Sequence, residues 1–268
     1  MSVHRGRLTS FETVVLWELM SRERLPFPLV HWPTQQYEDD YIRAKKETAE
    51  RLLAYLPEDA MQLWEAAVNP DIVIWAAGEP SADETDMSLV TRVVGLRREG
   101  YAVVLVQQPG ETIERGGDVD VYETDVVGLA RSVIEHLPKV GRGKRGEVQI
   151  LPEEPDGSDA HHDGSPVLDS NDQTQQRSDR WRRAKAIQFG DLKVEPGKGA
   201  HWIQDRSGYL IRWRDLVDDG RYVIEAKPDP VAVPVDDEGF ETVVNRRVAD
   251  LVRRIRENRP ADRDFRVS

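Results

Sequence analysis

Cysteine is absent from the 268 residues, which excludes a disulfide framework, a thiol nucleophile and any thiolate metal site. Long apolar runs are also missing, and none approaches the ~20 residues that cross a bilayer as a helix. Basic residues precede Leu8 with no apolar core behind them, and Phe11–Leu19 is broken by Glu12 and Glu18. That is not the pattern of a secretory signal, so the expected compartment is the cytoplasm. Positive charge is the scarcer sign: 37 Lys and Arg stand against 49 Asp and Glu, for a net charge of −12. Such a chain repels nucleic acid unless it carries a strong local basic patch. The candidates are Arg142-Gly143-Lys144-Arg145, Arg180–Lys185, and Arg246-Arg247 with Arg253-Arg254. The last two pairs fall on the solvated face of a predicted helix, and no nucleic-acid partner is expected.

Catalytic signatures are missing as well. No G-x-S-x-G elbow or P-loop is present. Gly141–Gly146 satisfies G-x-G-x-x-G, but it follows a predicted helix and precedes a predicted strand, the reverse of a dinucleotide site. It reads as a flexible basic loop. Asp159-Ala160-His161-His162-Asp163 offers metal ligands on a polar, acidic segment that supplies no supporting shell. His4, His31, His136 and His201 are scattered, and the Asp118-Val119-Asp120 run lacks the glycine and terminal glutamate of a calcium loop. Asp118, Asp120, Glu123, Asp215, Asp218 and Asp219 read as solvated or turn-shaping carboxylates. Accordingly no catalytic residue, metal or cofactor is expected, and the chain reads as a non-enzyme.

What is present is a set of well-punctuated elements. Thr9-Ser10-Phe11-Glu12 has the form of a capping box opening a helix that ends before Leu25-Pro26-Phe27-Pro28-Leu29. Leu29–Trp32 reads as a short strand. Thr34 then caps a helix to about Leu56, and Pro57–Val68 forms a third. Strands are expected at Asp71–Ala77, Leu89–Leu96, Tyr101–Gln107 and Asp118–Tyr122, with an acidic loop at Gly78–Ser88. An amphipathic helix carrying Val126, Ala130, Val133, Ile134 and Leu137 follows, then a strand at Glu147–Leu151. Pro152–Asp179 is too polar to offset the roughly 1–2 kcal/mol per residue lost on ordering a backbone, and reads as a disordered linker. Beyond it come a strand at Ala186–Val194, a three-stranded meander, and a final helix at Gly239–Glu257. The meander spans Gly199–Lys227, with runs Ala200–Asp205, Gly208–Leu216 and Arg221–Lys227. Pro228, Pro230 and Pro234 are expected to end the sheet.

Both parts of the chain thus contain strands, glycine turns and a closing amphipathic helix. The turns even match locally, Arg98-Glu99-Gly100-Tyr101 against Arg206-Ser207-Gly208-Tyr209, and the pentapeptide Phe11–Val15 recurs at Phe240–Val244. The expected organisation is an N-terminal half over 1–151, the linker 152–179, a C-terminal half over 180–258 and a loose tail 259–268.

Several stretches together resemble the EspG family, chaperones of actinobacterial type VII (ESX) secretion. They are the N-terminal helix with Leu25–Leu29, the helix closed by Leu137-Pro138, the polar excursion after it, and the C-terminal Arg206-Ser207-Gly208, Asp218-Asp219-Gly220-Arg221-Tyr222 and final helix. The resemblance implies an α+β fold of two pseudo-symmetric halves sharing a large, mainly antiparallel sheet flanked by helices, with a C-terminal helical region. It implies a cytoplasmic chaperone that binds the apolar tip of a PE–PPE heterodimer and keeps it soluble for export. It also implies that the loop at Gly78–Ser88 and the helix at Gly239–Glu257 contact the partner. The candidate contact residues are Glu79, Asp83, Glu84, Asp86, Phe240, Val244 and Arg247. The acids would steer a basic patch of the partner. Two other readings stand beside it: a small-molecule enzyme using carboxylates with His201 or His136, and a self-assembling structural protein.

Overall fold

A computed structural model of the chain describes residues 2–152, 166–201 and 203–259, with side chains of the middle stretch from residue 173 onward. Strand β1 (Val3–Leu8) leads into α1 (Ser10–Ser21) through the expected capping box. Glu12 N–H donates to Thr9 Oγ1 at 3.1 Å, and Thr9 N–H returns the bond to Glu12 Oε2 at 2.8 Å. Helices α2 (Glu38–Tyr55) and α3 (Glu58–Val68) follow, with Pro57 as N-cap of the second. Next come β2 (Ile72–Pro80), β3 (Thr91–Arg98), β4 (Tyr101–Gln107), β5 (Val119–Thr124) and the short α4 (Leu129–Ile134). The chain continues with β6 (Val148–Gln149), α5 (Pro166–Arg183), β7 (Ala186–Pro196), β8 (Tyr209–Leu216), β9 (Gly220–Glu225), β10 (Val231–Pro234) and α6 (Asp237–Asn258).

All ten strands join one antiparallel sheet in the order β1-β5-β4-β3-β2-β7-β8-β9-β10-β6. Strands β2 and β7 pair at its centre, from Ile72↔Pro196 to Pro80↔Gln188. On either side the order is the same: an inner strand, two meander strands, a fourth, then a short edge strand from the start of that half. This is the expected pair of pseudo-symmetric halves, except that β6, inside the expected first half 1–151, pairs in the second. The local turn match, however, does not follow the symmetry. Arg98–Tyr101 turns β3 into β4, and its counterpart is the β8–β9 turn at Val217-Asp218-Asp219, whereas Arg206–Tyr209 leads from β7 into β8. The equivalent turns share a backbone feature instead, a non-glycine residue in the left-handed region, Glu99 (φ 53°) and Asp218 (φ 59°).

Strand alternation explains the two apolar layers. In β4, Ala102 and Val104 face one side while Val103 and Leu105 face the other, and both sides are covered. Helices α4 and α6 cover one face, where Leu129, Val133, Phe240, Val244 and Leu251 pack on Ile74, Val104, Ile211 and Trp213. Helices α1 to α3 cover the other face in the first half, through Leu16, Trp17, Leu63 and Trp64. Each such side chain, fully buried, contributes roughly 1.5–3 kcal/mol. In the second half that face carries, among the described residues, only α5, whose Trp181 packs with Ala186, Leu216 and Tyr222.

Several expected elements differ. Leu29–Trp32 is not a strand, α2 begins at Glu38 after Tyr37 rather than at Thr34, and Gly78–Pro80 extend β2 instead of opening the acidic loop. The helix expected over Val126–Leu137 is shortened to α4. Ala200–Asp205 is not a strand among its described residues (Trp202 lies outside them), so the meander is β7–β8–β9. The prolines do not end the sheet, because β10 contains Pro234 and pairs on both sides. Part of the expected linker is helix α5, anchored where Leu151 N–H donates to the buried Ser178 Oγ at 3.0 Å. Residues 153–165, with the Asp159–Asp163 motif, and 260–268 lie outside the described residues.

The Gly141–Gly146 loop is held against β9. Arg221 N–H donates to Gly141 O at 2.9 Å, Gly143 N–H to Arg221 O at 3.2 Å, and Lys144 N–H to Asp219 Oδ1 at 2.7 Å. A Cβ at Gly143 would lie 2.4 Å from the Tyr222 ring, so only glycine allows that approach. The Arg221 side chain itself is fully buried. It donates twice to the equally buried Asp215, Nε to Oδ1 and Nη2 to Oδ2, both at 2.8 Å. It also reaches Pro138 O at 2.7 Å and Asp237 Oδ1 at 3.3 Å. Asp215→Asn, which strands the buried guanidinium, should lower unfolding stability by about 3–5 kcal/mol in urea titrations. Replacing both partners together, as Asp215→Leu with Arg221→Met, should lower it by less, because no buried charge is then left unpaired.

Candidate protein-docking groove

The open strip of the second half forms the floor of a groove. Along β7, Gln188, Leu192 and Val194 point to the covered face, so Phe189, Asp191, Lys193 and Glu195 point to the open one. Their cross-strand neighbours Ala77 (opposite Asp191) and Trp75 (opposite Lys193) extend the floor onto β2, and Arg212 and Arg214 extend it onto β8. The covered face sets the level of this floor. Gly78 and Gly190 pair, and a Cβ on either would lie within 2.8 Å of the buried Trp213 indole.

The groove encloses about 1100 Å³. Its apolar lining is unusually open to solvent: Phe27 is 59% exposed, Trp32 57%, Phe189 45% and Ile113 40%. Phe27 stands edge-on to Trp75 at 4.6 Å between centroids. Charged groups of the floor are paired with one another. Trp75 Nε1–H donates to Glu195 Oε1 at 3.0 Å, Lys193 meets Glu195 at 2.6 Å, and Arg212 lies 3.4 Å from Asp191. Arg214 donates to the carbonyls of Trp181, Arg182 and Ala184 and stacks 4.7 Å from the Trp181 ring. Buried Arg92 donates to Ile113 O beside Glu79 and Glu114. Burial pushes the Arg92 and Arg214 guanidinium pKa values down from their ordinary range, though an arginine stays charged at neutral pH. A concave, aromatic, solvent-open surface of this kind has the chemistry to take up an apolar partner surface.

A family model described as the EspG family matches residues 11–246. The chain belongs to the EspG family. No match to a curated protein is found. Among solved structures, the chain is similar to the Mycobacterium tuberculosis type VII secretion system chaperone EspG5, determined in complex with a PE25–PPE41 dimer. The TM-score is 0.51 at 15% identity, over 94% of this chain and 96% of that one, a likeness of fold.

Within this EspG-family fold, the candidate contact residues divide. Glu79 lies on β2, exposed on the groove wall opposite Phe189. Asp83 and Glu84 are exposed and Asp86 half-buried on the β2–β3 connection, whose ends Ser81 and Val90 line the groove. Asp83 accepts from Thr85 N–H at 2.9 Å, and Asp86 from Ser88 N–H at 3.1 Å, so these two shape the loop while presenting charge. Phe240 and Val244 must be reassigned. Both are fully buried between α6 and the opposite face of the sheet, and neither presents a surface to a partner. Arg247 also serves α6, donating to Glu225 at 2.6 Å and to Asp250 at 3.2 Å, with its guanidinium 5.1 Å from the Tyr209 ring. The groove aromatics Phe27, Trp32, Trp75 and Phe189 were not among the expected contacts. The available signal was the Phe27-Pro28 and Trp32-Pro33 pairs, bulky aromatics in a proline-rich stretch between helices.

The carboxylate and histidine residues considered for chemistry are engaged elsewhere. Buried Asp120 accepts from Arg7 Nε and Nη2 and from Gln108 Nε2, each at 2.8 Å, and lies 2.9 Å from His4 Nε2. His136 packs 4.5 Å from the Tyr122 ring, and burial pushes its imidazole pKa down. Asp219 accepts from Tyr222 OH at 3.1 Å and pairs with Arg145 at 3.0 Å, which fixes a turn. Among the described residues no cluster of three or more His, Asp or Glu is arranged to hold a metal, and no helix is long and apolar enough to cross a membrane.

Burial alone would raise the Asp120 carboxyl, but the bonds from Arg7 and His4, with Gln108, outweigh it and hold the group below the usual carboxylate range. A depressed folded-state value contributes stability above the unfolded value of about 3.9, and that contribution is lost as pH falls through the folded value. The stability deficit of Asp120→Asn should therefore be constant near neutral pH and shrink below about pH 4. Urea midpoints measured across pH for both proteins test this, and a pH-independent deficit would refute it.

Proposed function

We propose that this protein is a cytoplasmic chaperone of type VII secretion that binds PE–PPE-like heterodimers, covers their apolar tip and keeps them soluble until export. It acts by binding, without a catalytic step. Family membership supports the class of activity, and EspG5, which shares the fold, was captured with a PE25–PPE41 dimer. The observation that carries the reading is the aromatic groove bounded by Phe27, Trp32, Trp75 and Phe189. An apolar helical tip seated there would remove apolar surface on both partners from water, at about 25 cal/mol per Å² before the costs of association. The acids Glu79, Asp83, Glu84 and Asp86 at its rim would attract a partner whose tip is flanked by basic residues.

Co-expression with PE–PPE-like pairs from the same genome is the direct test. A stable, co-purifying complex is expected, and failure of every such pair to co-purify would overturn the reading. Phe189→Asp and Trp32→Asp, both at exposed positions, should each weaken the complex about ten-fold or more while leaving the thermal midpoint within a degree or two. Reversing Asp83, Glu84 and Asp86 to lysine should act differently. It should slow association by about ten-fold at low salt, flatten its salt dependence, and change dissociation little, as measured by surface plasmon resonance.

A further inference from the structure

Two basic stretches far apart in the chain meet in the fold. One is the Gly141–Gly146 loop, fixed by Gly143 under the Tyr222 ring and by Arg145 N–H donating to Tyr222 OH at 3.0 Å. The other is the last two turns of α5, fixed by buried Trp181, which stands edge-on to the same Tyr222 at 6.1 Å. Tyr222 therefore anchors both. Between them lies a trough of about 590 Å³ into which Arg145, Arg180 and Arg183 converge, with Gln176 and Asp179 on its wall.

The state of these side chains makes the trough a built surface. Arg145 is oriented by Asp219, Nε to Oδ2 at 3.0 Å, and is still half-exposed. Asp179 is engaged by Arg182 at 3.6 Å and Gln175 at 3.3 Å. Arg180 and Arg183 are exposed and have no carboxylate within ion-pair distance among the described residues. Arginines in the last turn of a helix are favoured by its negative C-terminal end, and that accounts for part of the cluster. It does not account for Arg145, which the β8–β9 turn brings in from a different segment.

We infer that this trough binds a run of glutamate or aspartate side chains on a protein partner, at a surface distinct from the apolar groove. Guanidinium forks match carboxylates two bonds at a time, and three converging forks suit a short acidic run. The net charge of −12 disfavours a long polyanion such as duplex nucleic acid, which would extend past the trough onto acidic surface. The inference rests on the trough alone and is independent of what occupies the groove.

The test uses the full chain and a fluorescently labelled decaglutamate peptide, followed by anisotropy at low and physiological salt. Saturable binding is expected. Arg180→Glu with Arg183→Glu should weaken it about ten-fold or more, and Arg180→Lys with Arg183→Lys should fall between, because charge is kept and the fork is lost. Arg145 is left intact because it holds Asp219. Both replaced residues are exposed, so an unchanged thermal midpoint establishes that the variants fold. The proposal is overturned if the peptide binds both charge-reversed and parent proteins equally. It is also overturned if duplex DNA or phosphatidylserine vesicles bind the parent more tightly than the peptide does. Self-association of the parent that the charge reversal abolishes, with no peptide binding, would likewise overturn it and assign the trough to a second copy of the chain.

Discussion

The guanidinium of Arg221 is the point on which the second half of the molecule is assembled. Fully buried with Asp215, it ties β9 to β8, and its remaining donors reach the carbonyl of Pro138 after α4 and the Asp237 carboxylate at the start of α6. Two helices from different halves thus begin or end on one side chain. An isolated charge at that depth would be prohibitive, and the arrangement is tolerable because a carboxylate pairs with it and all three of its nitrogens donate to oxygen. The neighbouring residues serve the same junction. Gly220, at φ 151°, lets the chain pass against Arg142 O, and Tyr222 sends its ring under Gly143 on the opposite face. The five residues Asp218–Tyr222 are therefore a structural junction.

The pseudo-symmetry makes the groove intelligible. In the first half the segment between β1 and β2 supplies three helices, enough to cover one face of the sheet completely. In the second half the equivalent segment, between β6 and β7, contributes α5 among the described residues, and α5 reaches β7 and β8 only at their ends, Ala186 and Leu216. The inner strip of β7 and β8 is left open, walled on one side by the Phe27–Trp32 segment. A repeat whose two copies are covered unequally leaves a site where cover is missing. The uncovered side chains are large and aromatic where a merely solvated sheet face would be polar.

Much of this was legible in the sequence, and the exceptions have physical reasons. Capping chemistry, proline punctuation and alternation located α1, α3, β3, β4 and the closing helix because those signals are local. The edge strand β1 carries no alternation of its own, and exists because β5 offers it a partner, whereas β6 falls inside the expected Glu147–Leu151 strand. Helix α5 was hidden because its composition is polar, and a single buried tryptophan fixes its end. At the site, the acidic β2–β3 loop was visible as a charge run. Periodicity showed that Phe240 and Val244 share a face, but not whether that face meets the sheet or a partner. The groove itself joins the Phe27–Trp32, Trp75 and Phe189 segments, which only the central β2–β7 pairing brings together.

The charges around the groove divide its work. On the floor, Asp191 is matched by Arg212 and Glu195 by Lys193, so an occupant that displaces water there covers paired charges rather than isolated ones. The floor is therefore close to neutral and discriminates little between charged partners. At the rim, Glu79, Asp83, Glu84 and Asp86 are unbalanced by any basic residue between Glu79 and Val90. Their field acts before contact, within about a Debye length of 8 Å at physiological ionic strength. Under the proposed function, shape and apolar area would govern how long an occupant stays, while the rim would govern which occupants arrive. Such a separation would let Asp83 and Asp86 change with little effect on the packed sheet beneath them, because each accepts only from neighbouring residues of its own turn.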